Sequence, residues 1–184
     1  MSADPTGQSF ELCGAGWSAS FQRAVLQLQG EAVSPNRGRL PCHPLERSDG
    51  SLSVIVPLPD GESVWLAFTL AAGLRVAGWT GAGTPLLVHD LGQGAAHKQT
   101  FFIEGIMQGD GSMRPICPPA VAIAATRQDL TREPALRVEL RAKEGIALRL
   151  SVTLTTPELY SAVTGFAVPQ AYPPEDAYRG WRLP

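Results

Sequence analysis

Between Ser51 and Ile106 the chain never sustains an apolar run for long. The stretch SLSVIVPLPDGESVWLAFTLAAGLRVAGWTGAGTPLLVHDLGQGAAHKQTFFIEGI breaks into short pieces rich in Val, Leu, Ile, Phe and Trp, each closed by Gly, Pro or Asp-Gly. Pieces of this kind read as strands and their breaks as turns. Nineteen Gly and sixteen Pro in 184 residues are too many for a helical bundle and suit a turn-rich β protein. One domain of this length buries about 70% of the surface of its unfolded chain, so it needs neither disulfide nor metal to hold together.

The clearest local pattern comes late. Leu136, Val138, Leu140 and Ala142 alternate with Arg137, Glu139, Arg141 and Lys143. After Glu144-Gly145 the row Ile146, Leu148, Leu150, Val152, Leu154 alternates with Ala147, Arg149, Ser151 and Thr153. One apolar and one solvated face predict an antiparallel hairpin closing one side of a core. Upstream, strands are expected at Ser9–Cys13, Phe21–Gln29, Ser51–Leu58, Ser63–Leu70, Leu74–Thr80, Pro85–Asp90, Gln99–Ile106 and Ala120–Thr126. Pro59-Asp60-Gly61-Glu62 reads as a tight turn returning Ser63–Leu70 beside its predecessor. Gly30–Gly50, with its prolines and no periodicity, reads as a long loop and the first candidate for an active one. Gly92–Ala96 reads as a second loop, and Met113–Pro119 as irregular.

Thr155-Thr156-Pro157-Glu158 opens the single good helix, with Thr155 as its cap and Gly165 as its stop. About ten short strands predict an all-β fold, an antiparallel β-sandwich or jelly-roll-like barrel over residues 1–165. The segment 166–184 has four prolines together with Tyr172, Tyr178 and Trp181, too aromatic for a solvated linker. It is expected to pack on the domain or on a partner.

Charge and composition narrow the function classes. A net charge of −2 without a basic block gives no field to attract nucleic acid. The N-terminus lacks a basic, apolar leader, and no apolar run is long enough to span a bilayer. A cytoplasmic protein without membrane contact is therefore expected. The three cysteines, Cys13, Cys42 and Cys117, are odd in number and form no CxxC, against a disulfide framework or a structural zinc.

Chemistry-bearing patterns are few. Gly78–Gly83 and Gly92–Gly94 have no Lys-Ser/Thr ending, and Gly61-Glu62-Ser63-Val64-Trp65 lacks the final Gly of a nucleophile elbow. His89, His97 and Glu104 stand near strand ends, and two imidazoles with a carboxylate can hold one divalent transition metal. In architecture alone this resembles a cupin, although the H-x-H pair of many cupins is absent. His43 is a further candidate ligand. Cys42-His43 places a thiol next to an imidazole, but adjacent residues of an extended chain point apart, so a catalytic Cys42 would need a distant base. Asp90, Glu104 and Asp110 offer an acid–base pair, with Asp110 in Gly-Asp-Gly-Ser reading first as a turn residue.

Of the four tryptophans, the strand contexts of Trp65 and Trp79 place them in the core, whereas Trp17 and Trp181 sit beside Gly in irregular segments. The expected function is a non-catalytic binding or assembly module without cofactor. Trp17, Tyr172, Tyr178 and Trp181 would meet a protein partner or a second copy, with the Gly30–Gly50 loop as an addition to that surface. The alternatives are a small metal-dependent, cupin-like enzyme and a carbohydrate-binding module using Trp17 or Trp79.

Overall fold

The computed structural model describes residues 8–25, 36–48, 50–93 and 98–171. Two sheets face each other around one apolar core. The larger holds β1 (Leu12–Gly14), β2 (Trp17–Val25), β3 (Asn36–Leu40), β6 (Glu62–Leu70), β8 (Leu86–Gln93), β9 (Gln99–Met107) and β10 (Met113–Pro115). The smaller runs in the order β4 (His43–Ser48), β5 (Ser51–Pro57), β12 (Gly145–Thr155), β11 (Leu136–Ala142), β7 (Arg75–Thr80). This is an all-β sandwich. Every pairing between these strands is antiparallel except that of β5 with β12, which run parallel from Ser51 beside Arg149 to Pro57 beside Thr155.

Alternation decides which side chains enter the core. On β6, Val64, Leu66, Phe68 and Leu70 point inward and are fully buried, joined by Ala19 and Phe21 of β2. The facing sheet supplies Leu52 and Val54, then Leu136, Val138 and Leu140, then Leu150, Val152 and Leu154. The predicted β11–β12 hairpin is present, with Leu136 opposite Val152 and Leu140 opposite Leu148. A register shift after Leu140 puts Arg141 opposite Ile146, and Ile146 leaves the predicted apolar face to stand 39% exposed.

Several expectations are corrected. β5 and β6 do not form a hairpin: they belong to opposite sheets, and the Pro59–Glu62 turn is an arch between them. The turn chemistry itself is as expected, with Glu62 N–H donating to Pro59 O and Gly61 at φ 73°. Gly30–Gly50 is not one loop, because Asn36–Leu40 pairs with β2 and His43–Ser48 pairs with β5. Pro44 is tolerated because β4 lies at the end of its sheet, with an irregularity between Pro44 and Glu46. Met113–Pro115 forms a short strand on β9, whereas Ala120–Thr126 is irregular apart from one bridge at Ala124. The strand expected at Phe21–Gln29 begins earlier, at Trp17, and residues 26–29 lie outside the described residues. Gly92 and Gln93 extend β8, and 94–96 of the second expected loop are likewise outside them.

The one α-helix of the described residues, α1 (Pro157–Thr164), is capped one residue later than predicted. Thr156 Oγ1 accepts from Leu159 N–H, while Thr155 is still the last residue of β12. Gly165, at φ 77°, ends the helix in the left-handed conformation that glycine adopts without strain. No helix among the described residues is long and apolar enough to cross a membrane.

Candidate functional site

β6 exposes what the core does not use. Trp65 is out of phase with Val64, Leu66 and Phe68, so it lies on the outer face of the larger sheet, half-buried rather than in the core as predicted. Phe102, on the outer face of β9, meets it edge to face, with ring centroids 5.0 Å apart and planes at 69°. On β2 the outward residues Ser20 and Gln22 lie opposite Ala67 and Trp65, and Gln22 Nε2 donates to Ser20 Oγ at 2.8 Å. His89 stands opposite Phe102 on β8. An aromatic pair flanked by small and polar side chains is therefore the main feature of this face.

Trp79 is likewise half-buried and outside the core, on the outer face of the smaller sheet. The Arg141 guanidinium lies over its ring, 5.4 Å from the centroid, and is itself held by Glu139 at 2.7 Å. Trp17 is not in an irregular segment: it starts β2 in phase with Ala19 and Phe21 and packs, half-buried, against the core. Its indole occupies the space in which a Cβ on Gly14 would sit, which is why that position tolerates no side chain. Tyr172, Tyr178 and Trp181 lie outside the described residues.

The predicted metal ligands are partly assembled. Antiparallel pairing of β8 with β9 brings His89 Nε2 to 3.3 Å from Glu104 Oε2, both side chains more than a third exposed. His97 lies outside the described residues. His43 belongs to β4 in the other sheet. Among the described residues no group of three His, Cys, Asp or Glu side chains is placed to hold a metal ion. Asp90 serves the register irregularity within β8, and Asp110 serves a turn. Asp90 Oδ1 accepts from Gly92 N–H, and Asp110 Oδ1 accepts from both the N–H and the hydroxyl of Ser112. The Ser112 hydroxyl and amide hold the Asp110 carboxyl below its ordinary value.

Cys42 is buried and its thiol donates to Ser9 O at 3.6 Å. Burial pushes that thiol up to about 12, so it stays protonated and unreactive at neutral pH. Cys117 is buried as well, whereas Cys13 is exposed. A disulfide reagent at pH 8 is therefore expected to titrate one thiol per native chain, lost on Cys13→Ser, and three in denaturant. Fast reaction of a thiol in the native Cys13→Ser protein, lost on Cys42→Ser, would revive a nucleophilic role for Cys42.

A charged pair that no sequence pattern singles out closes one end of the sandwich. Arg23 follows Phe21 on the inward side of β2, and Glu62 starts β6. The guanidinium is bidentate on the carboxylate, Nε to Oε2 at 2.8 Å and Nη2 to Oε1 at 2.6 Å. Its Nη1 donates to Pro169 O at 2.7 Å, and Gln8 Nε2 donates to Ala167 O at 3.2 Å. The segment after α1 is thereby fastened across that end. A cleft of about 370 Å³ near the β5–β6 arch is lined by Leu58, Asp60, Pro118, Val121, Ile123 and Thr156 among others. Thr156 caps α1, and among the described residues of that lining Asp60 has no partner of catalytic type.

No family model, curated protein or solved structure matches this chain.

Proposed function

We propose that this chain is a non-catalytic binding or assembly module whose contact surface is the outer face of the larger sheet, acting on a protein partner or a second copy. The observation that carries this reading is the Trp65–Phe102 pair on that face, outside the core and on adjacent strands. Large aromatic side chains held rigidly on a sheet provide contact area at low entropic cost and anchor protein interfaces. Burial of Cys42 and Cys117, and the local backbone roles of Asp90 and Asp110, support the same reading.

The His89–Glu104 contact favours one second reading, a small metal-dependent enzyme that also draws on His97. Elemental analysis and light scattering on tag-free protein separate the two. The binding module is expected to show a mass above that of the monomer, which falls on Phe102→Ser. About one equivalent of transition metal per chain, lost on His89→Ala, would replace it with the enzyme. A monomer at every concentration would remove self-assembly and leave a partner of different sequence.

A further inference from the structure

The outer face of the smaller sheet is basic in a chain whose net charge is −2. Arg75 alternates with buried Val76 on β7, Arg137 and Arg141 with buried Val138 and Leu140 on β11, and Arg149 with buried Leu150 on β12. All four therefore leave the core on the same side. The antiparallel register then gathers them. Arg141 lies opposite Arg75, Arg137 opposite Trp79, and Glu139, between the two, opposite Arg149.

Among the described residues, two carboxylates serve these four guanidinium groups. Glu139 Oε2 accepts from Arg141 Nε and Nη2 at 2.9 and 2.7 Å. Its other oxygen is 3.9 Å from Arg149 Nε, beyond hydrogen-bond reach. Glu133 Oε1 accepts from Arg137 Nη2 at 3.1 Å, and Arg75 donates to neutral oxygens, Leu74 O and Gln99 Oε1. The side chains of Arg137, Arg141 and Arg149 are 48%, 50% and 64% exposed, so the face is open to a partner. Like charges directly opposite on neighbouring strands, as at Arg75 and Arg141, repel, and an anion between them removes that cost.

The contacts already made on this face indicate the anion it takes. Both are glutamate carboxylates, and Glu133 reaches Arg137 from the loop before β11 with its own side chain 73% exposed. An exposed pair of this kind contributes little, so an incoming carboxylate can take its place. Trp79 argues against a nucleic acid. Arg141 lies over its ring, 5.4 Å from the centroid, and leaves that side of the indole unable to stack on a base. Side chains at alternate positions of an extended chain stand about 6.8 Å apart, two residues' rise, which matches the rows of this sheet. We propose that the outer face of the smaller sheet is a docking site for an extended acidic segment of a partner protein, whose carboxylates bind Arg75, Arg137, Arg141 and Arg149. This site is separate from the aromatic surface on the larger sheet and does not rest on it.

Fluorescence anisotropy with the full chain tests the site, using a dye-labelled peptide of alternating Glu and Ser at about 20 mM salt, where surface charges are little screened. Saturable binding is expected, and none for the matching peptide of Gln and Ser. The joint change Arg75→Gln with Arg149→Gln is expected to weaken binding about tenfold, and Glu133→Gln, which removes the carboxylate competing for Arg137, to strengthen it about threefold. Should the double variant fail to fold, Arg149→Gln alone, at the most exposed of the three ion-paired arginines, is expected to weaken binding about threefold. No saturable binding of the Glu peptide overturns the site, as does binding that the arginine substitutions leave unchanged. A single-stranded oligothymidylate that binds more tightly than the peptide, and loses that binding on the same substitutions, overturns the acidic segment in favour of a nucleic acid. Phe102→Ser on the opposite sheet is expected to leave the peptide affinity unchanged, so this site and the aromatic surface fail separately.

Discussion

Replacing Arg23 by Ala is expected to lower the stability of the fold by about 3–5 kcal/mol, the cost of leaving a buried charge without its partner. The side chains of Arg23 and Glu62 are 4% and 13% exposed, so water cannot take over the lost interaction. Removal of the guanidinium strands the Glu62 carboxylate at the sandwich end. It also takes the donor from Pro169 O, loosening the segment after α1. Urea unfolding followed by fluorescence measures the loss, and for a chain of this size about 4 kcal/mol corresponds to roughly 10 °C in Tm. The joint change Arg23→Met with Glu62→Leu is expected to recover most of it, because two apolar groups need no partners. A loss below about 1 kcal/mol for Arg23→Ala would mean that the pair behaves as an exposed one.

That pair also marks the limit of what the sequence can reveal. Arg23 and Glu62 are 39 positions apart, and nothing local distinguishes them from solvated charges. The β11–β12 hairpin is legible because each strand has one apolar and one charged face, which leaves a single way to place it. β5 and β6 carry buried residues in both phases, Val54, Ile55 and Val56 on one and Ser63 and Val64 on the other. Their turn looks the same whether it closes a hairpin or arches between sheets. Asn36–Leu40, reading NRGRL, has a single apolar residue and is a strand because β2 offers it an edge. The phase of Trp65 is visible in the alternation of β6, although the usual burial of Trp argues for the opposite face. His89 and Glu104 become neighbours only once β8 and β9 lie side by side, a pairing that no residue in the linking segment announces.

Gly81→Ala is expected to be the second severe substitution, at about 3 kcal/mol, near the upper end of overpacking costs. Gly81 follows β7 where the chain arches from the smaller sheet to β8 in the larger one. Its N–H donates to Ala135 O at 2.8 Å, and a Cβ there would collide with Pro134 O. The obstacle is backbone at the entrance to β11, so relief requires moving the strand that pairs with β7. Gly78, three residues earlier, provides the control. Its added Cβ would meet the terminal Cδ1 atoms of Leu86 at 2.9 Å and Ile103 at 3.2 Å. Those are the ends of side chains that can change rotamer, and a strand alanine recovers backbone entropy, so Gly78→Ala is expected to cost about 1 kcal/mol or less. Paired denaturation curves decide the matter through their difference. If the two substitutions cost the same, the approach of residue 81 to Pro134 O is looser than the structure places it, and the arch from β7 to β8 is free to move independently of β11.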